Sequence, residues 1–201
     1  MCMISNLEEQ IKNCSACKLK GLGYSLTRHK ETDNKIRILF VGEAPGKEEE
    51  LTKTPFVGSS GKLLDEWISY LKIKNYVITN VIKHRPPNNN LYNNILLDAN
   101  SIIQTCGDLF LVNEIKEYNP SAIITLGRSS FNYLTNFTYF WEKMASIMRQ
   151  TYEKDVAIYT FNVMGARYKI FPMYHPAYIR RNTTIEVVNI LGAIRDLIEQ
   201  L

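Results

Sequence analysis

No apolar run in this sequence is long enough to cross a bilayer. The longest, such as AIITLG and RILFVG, stop far short of the roughly 20 residues that a spanning helix needs. The opening stretch, MCMISNLEEQIKNCSAC, lacks a basic start followed by an apolar segment. No secretory signal is read there, so the chain is expected to stay inside the cell, in cytoplasm or nucleoid, with no membrane partner. Cysteine is scarce, at four residues, and thiols inside cells are mostly reduced. The four are therefore read as free or metal-bound rather than as disulfides. Repeats and low-complexity linkers are also missing. With 201 residues, one domain over 1–201 is expected, the N-terminal CxxC segment being part of it. A net charge of +4 permits a polyanionic partner without requiring one.

What is present is a regular alternation. Four short apolar runs, 36–41, 76–79, 122–126 and 169–174, read as buried strands. Helical patterns lie between and after them, at 60–71, 98–117, 128–134 and 184–201. Leu63, Leu64, Trp67, Ile68 and Leu71 form one stripe, and Ile102, Ile103, Leu109, Val112 and Ile115 another. Residues 20–34 and the Asn-rich 88–94 read as loops, and 152–163 as further β material. Strands alternating with helices predict an α/β fold with a parallel sheet covered on both faces.

Each strand runs into a chemically loaded turn: Gly42-Glu43-Ala44-Pro45-Gly46, then Asn80 followed by Lys83-His84-Arg85-Pro86-Pro87, then Gly127-Arg128-Ser129-Ser130, then His175-Pro176-Ala177. Ligands of open parallel sheets bind outside the carboxyl ends of the strands, so these turns should meet in one cleft. Each has a plain alternative. The glycine turn can approach a ligand closely or merely join strand to helix. Phe56, between Pro55 and the glycine at 58, can stack on a flat base or fill core. Asn80 offers a donor and an acceptor side by side, or forms a turn. His175 can donate to a developing anion, or be a capped or surface histidine. Cys14 and Cys17 form a CxxC pair, with Cys106 far along the chain and Cys2 near the terminus; this spacing is not that of a compact zinc finger.

Together, CSAC, VGEAPG, PFVGSSGKLLDEW, ITNVIKHRPPNNN, the Cys106 segment with NPSAIITLG, and HPAYIRRN resemble the family 4, iron–sulfur uracil-DNA glycosylases, in order and approximate spacing from Cys14 to Arg181. The resemblance implies a three-layer uracil-DNA glycosylase-like fold with a central four-stranded parallel sheet. It implies an enzyme of DNA repair that flips uracil out of DNA, hydrolyses its N-glycosidic bond and leaves an abasic site. Glu43 and Ala44 would lie beside the sugar C1′ and the attacking water, with Gly42 against the base. Phe56 would stack on uracil, Asn80 would read its edge, and His175 would hold O2. Lys83, Arg85, Arg180 and Arg181 would meet phosphates, and Gly127, Arg128, Ser129 and Ser130 would begin a helix whose N–H groups hold another. Residues 176–181 would form a loop entering the minor groove, with Tyr178 or Ile179 near the vacated base position. Uracil-containing DNA is the implied partner. A sliding clamp is a further one, and the chain is expected to act as a monomer.

Three departures qualify the resemblance. The family usually carries a cysteine where His84 stands. The ligands of a 4Fe–4S cluster would then be Cys14, Cys17, His84 and Cys106; the alternatives are that His84 does not ligate, that Cys2 substitutes, or that Zn²⁺ fills a Cys₃His site. A related subgroup, the covalent family X enzymes, also has a histidine here. Beyond Asn90, however, the usual Arg-Thr-Pro continuation and the basic loop of family X are both missing, so covalent capture is not expected. Ala177 replaces the family's common serine. Two rival readings stay open: a non-catalytic DNA-binding protein of the same fold, and a glycosylase of broader deaminated-base choice.

Overall fold

The structure is a computed structural model, described here for all residues except 1–3, 93–96, 140–141, 153–158, 164 and 183–186. In chain order it runs α1 (Ile4–Lys12), β1 (Arg28–Lys30), β2 (Arg37–Gly42), α2 (Lys47–Thr52), α3 (Ser59–Tyr70) and β3 (Asn75–Asn80). There follow α4 (Ala99–Cys106), a π-helical segment (Gly107–Leu111), α5 (Val112–Tyr118), β4 (Ala122–Leu126) and α6 (Arg128–Leu134). The last elements are α7 (Met144–Tyr152), β5 (Tyr159–Val163), β6 (Ala166–Met173), α8 (Pro176–Arg181) and α9 (Val187–Ile198).

One six-stranded sheet has the order β1-β3-β2-β4-β6-β5. Its inner four strands, β3, β2, β4 and β6, are parallel, as expected, and β1 and β5 add an antiparallel strand at each edge. The strands are apolar without alternation because both faces are covered. Side chains alternate across β2: Leu39 and Val41 join the core under α4, α5 and α6, while Ile38 and Phe40 join the core under α3 and α9. In α3 the buried residues are Leu64, Trp67 and Ile68; in α9 they are Leu191, Ile194 and Ile198.

The long helical pattern at 98–117 departs from expectation in its middle. Asp98 caps its start by accepting from the Ser101 amide at 3.1 Å. The π-helical segment then turns the following residues. Leu109, expected on the buried stripe, is 44% exposed, and Phe110 and Leu111 are buried instead. The second correction concerns 176–181, expected as a loop. It is the helix α8, with Pro176 in its first turn, where the missing amide costs nothing.

Register fixes where the strands stop. Gly42 lies opposite Asn80, Val41 opposite Thr125, and Leu126 opposite Met173. The four parallel strands therefore end at one level, and their turns open onto the same side.

Candidate active site

A cleft of about 1170 Å³ lies at that level, lined among others by Glu43, Phe56, Asn80, Gly127, Ser129 and His175. Asn80, the last residue of β3, is buried, and its Oδ1 has no hydrogen-bond partner among the described residues. A buried acceptor without a donor costs roughly 1–3 kcal/mol, a cost that a ligand N–H would remove. The strand end is held from behind: Lys83 Nζ donates to the Asn80 carbonyl at 2.8 Å, to Thr79 Oγ1 at 2.7 Å and to Glu114 Oε2 at 2.7 Å.

Phe56 reaches the same spot from the turn before α3. Its backbone is left-handed, with φ 56°, a conformation a bulky residue seldom adopts. Glu49 of α2 braces that turn, accepting from the amides of Val57 and Gly58 at 3.0 Å each and from Gly46 at 3.1 Å. Gly42 is what lets the two side chains converge. A Cβ there would lie 2.4 Å from Asn80 Oδ1 and 2.6 Å from Phe56 Cζ.

His175 follows β6 and caps α8. Its Nδ1 accepts from the Ala177 amide at 3.1 Å. In the neutral ring the proton therefore sits on Nε2, which makes Nε2 a donor. Burial, reinforced by the Arg181 charge and opposed by Glu49, pushes the imidazole pKa down to about 4. The ring is neutral at physiological pH, and its centroid lies 5.8 Å from that of Phe56 at an interplanar angle of 35°. Gly127, at φ 93°, is the turn that lets His175 approach: a Cβ there would stand 3.1 Å from His175 Cβ.

Glu43 stands across the cleft, beside Ala44. Burial pushes its carboxyl pKa up, and a hydrogen bond from Ser129 Oγ to Oε2 at 2.5 Å works against that shift. Ser129 in turn contacts the Tyr92 hydroxyl at 2.7 Å. Tyr92 has no counterpart among the residues singled out from sequence. It lies in the Asn-rich loop, and only the fold reveals that this loop returns to α6. Glu49 was also missed, although its position three residues after Gly46 is a capping signal.

Several expected DNA contacts are corrected. Lys83 is fully buried in its ion pair with Glu114, so it cannot meet a phosphate. Ser129 and Ser130 are buried and give their hydroxyls to Glu43 and to the Gly127 carbonyl, which leaves the phosphate contact expected of the N–H groups at the start of α6 neither met nor corrected. Ile179 packs against the core under α3 and α9, away from the cleft. Arg85 is half-buried and paired with Glu50 at 2.7 Å. Arg128, Tyr178 and Arg181 are exposed and line the cleft. Arg180 is exposed and donates to Ser59 Oγ. Tyr178 stacks on Tyr174 at 5.4 Å.

The cysteines gather on the other face of the β3 end. Cys14 and Cys17 are half-buried against the core that contains Cys106. All three thiols act on one another electrostatically. Cys106 Sγ accepts from the Lys83 amide at 3.3 Å, and burial pushes its pKa up to about 12. His84 is buried beside Lys83, and its Nε2 has no hydrogen-bond partner among the described residues. Among those residues, no three such side chains close around a point tightly enough for a single metal ion.

An aromatic ring, a carboxamide and a neutral imidazole thus line one cleft at the strand ends of a parallel α/β sheet. Residues 29–196 match the family model of the Uracil DNA glycosylase superfamily. The chain is 34% identical over 185 residues to a Type-4 uracil-DNA glycosylase of Saccharolobus solfataricus, covering 90% of this chain and 79% of that one. It is 31% identical to the Type-4 enzyme of Archaeoglobus fulgidus, covering 88% and 84%, and 33% identical to that of Thermotoga maritima, covering 92% and 87%. The chain belongs to the uracil-DNA glycosylase superfamily.

Proposed function

We propose that this chain is a uracil-DNA glycosylase of DNA repair, hydrolysing the bond between uracil and deoxyribose in DNA. The observation that carries the reading is the convergence of Phe56, Asn80 and His175 on one cleft, with Asn80 Oδ1 buried and without a hydrogen-bond partner among the described residues. Uracil presents an N3–H donor beside an O4 acceptor. Asn80 matches both, with Oδ1 taking N3–H and the amide NH₂ giving to O4. Cytosine reverses the pattern and leaves the buried Oδ1 facing another acceptor.

The target bond lies inside the stack, so the nucleotide must rotate out first. Exposed Arg128, Arg180 and Arg181 would hold phosphates, and Tyr178 at the rim would enter the gap. The C1′–N1 bond then breaks with its electron pair leaving on uracil, and the sugar becomes oxocarbenium-like. His175 Nε2–H stabilises the anion at O2, a preorganised donor aimed at developing charge. Glu43, facing the sugar, stabilises the cation and orients the water whose oxygen adds to C1′. The water's proton leaves to solvent or to the departing base.

Asn80→Ala and His175→Ala should each lower cleavage of a uracil-containing oligonucleotide roughly 10²–10³-fold. Strand scission after alkali measures it; full activity in either variant contradicts the assignment.

The residues also fit a 4Fe–4S cluster held by Cys14, Cys17, Cys106 and His84. Three mutually interacting thiols, an amide hydrogen bond to one sulfur and a buried imidazole nitrogen with no partner among the described residues suit such a group. When bound it would act as a cross-link between the N-terminal segment, the turn after β3 and α4. Iron and acid-labile sulfide should be found together in the purified protein, and His84→Ala should lose both. Zinc without sulfide would overturn this part alone.

A further inference from the structure

Glu43 ends a hydrogen-bonded chain whose other two members, Ser129 and Tyr92, have no part in the glycosylase mechanism above. Ser129 Oγ donates to Glu43 Oε2 at 2.5 Å and contacts Tyr92 Oη at 2.7 Å. Serine has one hydroxyl proton, and an ionised carboxylate can only accept. The Ser129 proton therefore points to Glu43, and the Tyr92 hydroxyl is the donor to Ser129. The chain is directed from Tyr92 through Ser129 to Glu43.

The loop is built to deliver that phenol. Asn88 and Asn89 both have φ 55°, the left-handed conformation that asparagine tolerates better than most residues. Arg85 Nε donates to Asn89 Oδ1 at 2.5 Å while its guanidinium pairs with Glu50, tying the loop to α2. The Tyr92 amide donates to Asn90 Oδ1 at 3.0 Å. Although Tyr92 as a residue is 54% exposed, its hydroxyl is directed at the buried Ser129. An aromatic residue left this open to solvent, with its polar atom fixed on a cleft group, is placed for that bond rather than for core packing.

We propose that Tyr92 is a positioning residue for the cleavage step, holding Glu43 through Ser129 as an oriented carboxylate facing the sugar. The proposal rests on the glycosylase reading. No proton travels along the chain: two hydroxyls each give a hydrogen bond toward one anion. Charge-assisted bonds of this kind are about twice as strong as neutral ones, and the first is strengthened when the second polarises it. The bond from Ser129 opposes the burial that disfavours the Glu43 carboxylate, and burial stays the larger effect. Arg128 on α6 also acts on Tyr92. Among the described residues the other charged or titratable groups lining the cleft are Lys47, Glu48 and Glu49 on α2, Lys143, and His175, Tyr178 and Arg181 at and along α8.

Two measurements on the full-length protein test this. The first is kcat/KM on uracil-containing DNA as a function of pH, for wild type, Tyr92→Phe, Ser129→Ala and the double variant. The acid limb should move to higher pH in Tyr92→Phe, and further in Ser129→Ala. At the acid end, Ser129→Ala should lose on the order of tenfold. The double variant should match Ser129→Ala, because Tyr92 acts only through Ser129. The second readout needs no activity. The Glu43 side-chain carboxyl, labelled with carbon-13 and assigned by its loss in Glu43→Gln, should titrate at higher pH in Tyr92→Phe than in wild type. An unchanged Glu43 titration, or effects of the two substitutions that add, would overturn the proposal. Wild-type protein that leaves uracil-DNA intact while the Glu43 titration still responds to Tyr92→Phe would instead overturn the glycosylase reading.

Discussion

Gly42 is the residue on which the cleft turns, because nothing larger fits between Asn80 and Phe56. Gly42→Ala should displace both side chains that face the base. Misplacement of about 1 Å can cost around 10²-fold, and a loss of that order in kcat/KM is expected from steady-state kinetics. His175 gives a pH prediction with a defined sign. Its folded pKa of about 4 lies below the value near 6.5 expected of an unfolded histidine. The unfolded chain then binds the extra proton first, so this contribution to stability is complete above about pH 6.5 and is lost as pH falls toward 4. Melting temperature should decline over that window, and less steeply in His175→Asn. At this scale the sequence was partly legible. Phe56, Asn80 and His175 could be named because each sits beside a strand end or a proline–glycine turn. Tyr92 could not, since nothing local marks an asparagine loop that folds back onto a helix beginning 36 residues later.

At the scale of elements, the four inner strands were readable because both their faces are buried, leaving uninterrupted apolar runs. Helix α2 was not, since KEEELT carries no apolar stripe and no residue of it is buried. The exposure of Leu109 was equally hidden: a π-helical turn changes which residues face the core without changing composition. Lys83 shows the same limit for charge. Its lysine suggested a phosphate contact, yet the fold buries it against Glu114 and the Asn80 carbonyl. Removing one partner of such a pair strands a charge in the core. Lys83→Ala or Glu114→Ala should therefore lower stability by about 3–5 kcal/mol in denaturant melts. The apolar pair Lys83→Met with Glu114→Leu should recover much of that loss while disturbing the Asn80 carbonyl, so stability and activity should part.

At the scale of the whole molecule, strand register brings four turns from distant parts of the chain to one level. That β3, β2, β4 and β6 run parallel could be expected from alternation with helices, and β5 lies within the β material read at 152–163; the edge strand β1, three residues long, falls in the stretch 20–34 that reads as a loop. The cysteine site joins three regions that the sheet alone does not connect. If a cluster bridges them, Cys14→Ser should lose iron and lower the melting temperature by several degrees. The sheet should persist, because α1 contributes no strand to it, although Ile11 of α1 is buried in the core under α4, α5 and α6. Among the described residues no helix is long and apolar enough to cross a membrane.

The most direct test uses matched duplex oligonucleotides that differ at one position, carrying uracil, cytosine or thymine, with released base and abasic sites counted together. The account predicts free uracil and abasic sites in equal amounts from the first, and intact strands from the other two. No release of uracil, or release of cytosine at a comparable rate, would contradict it.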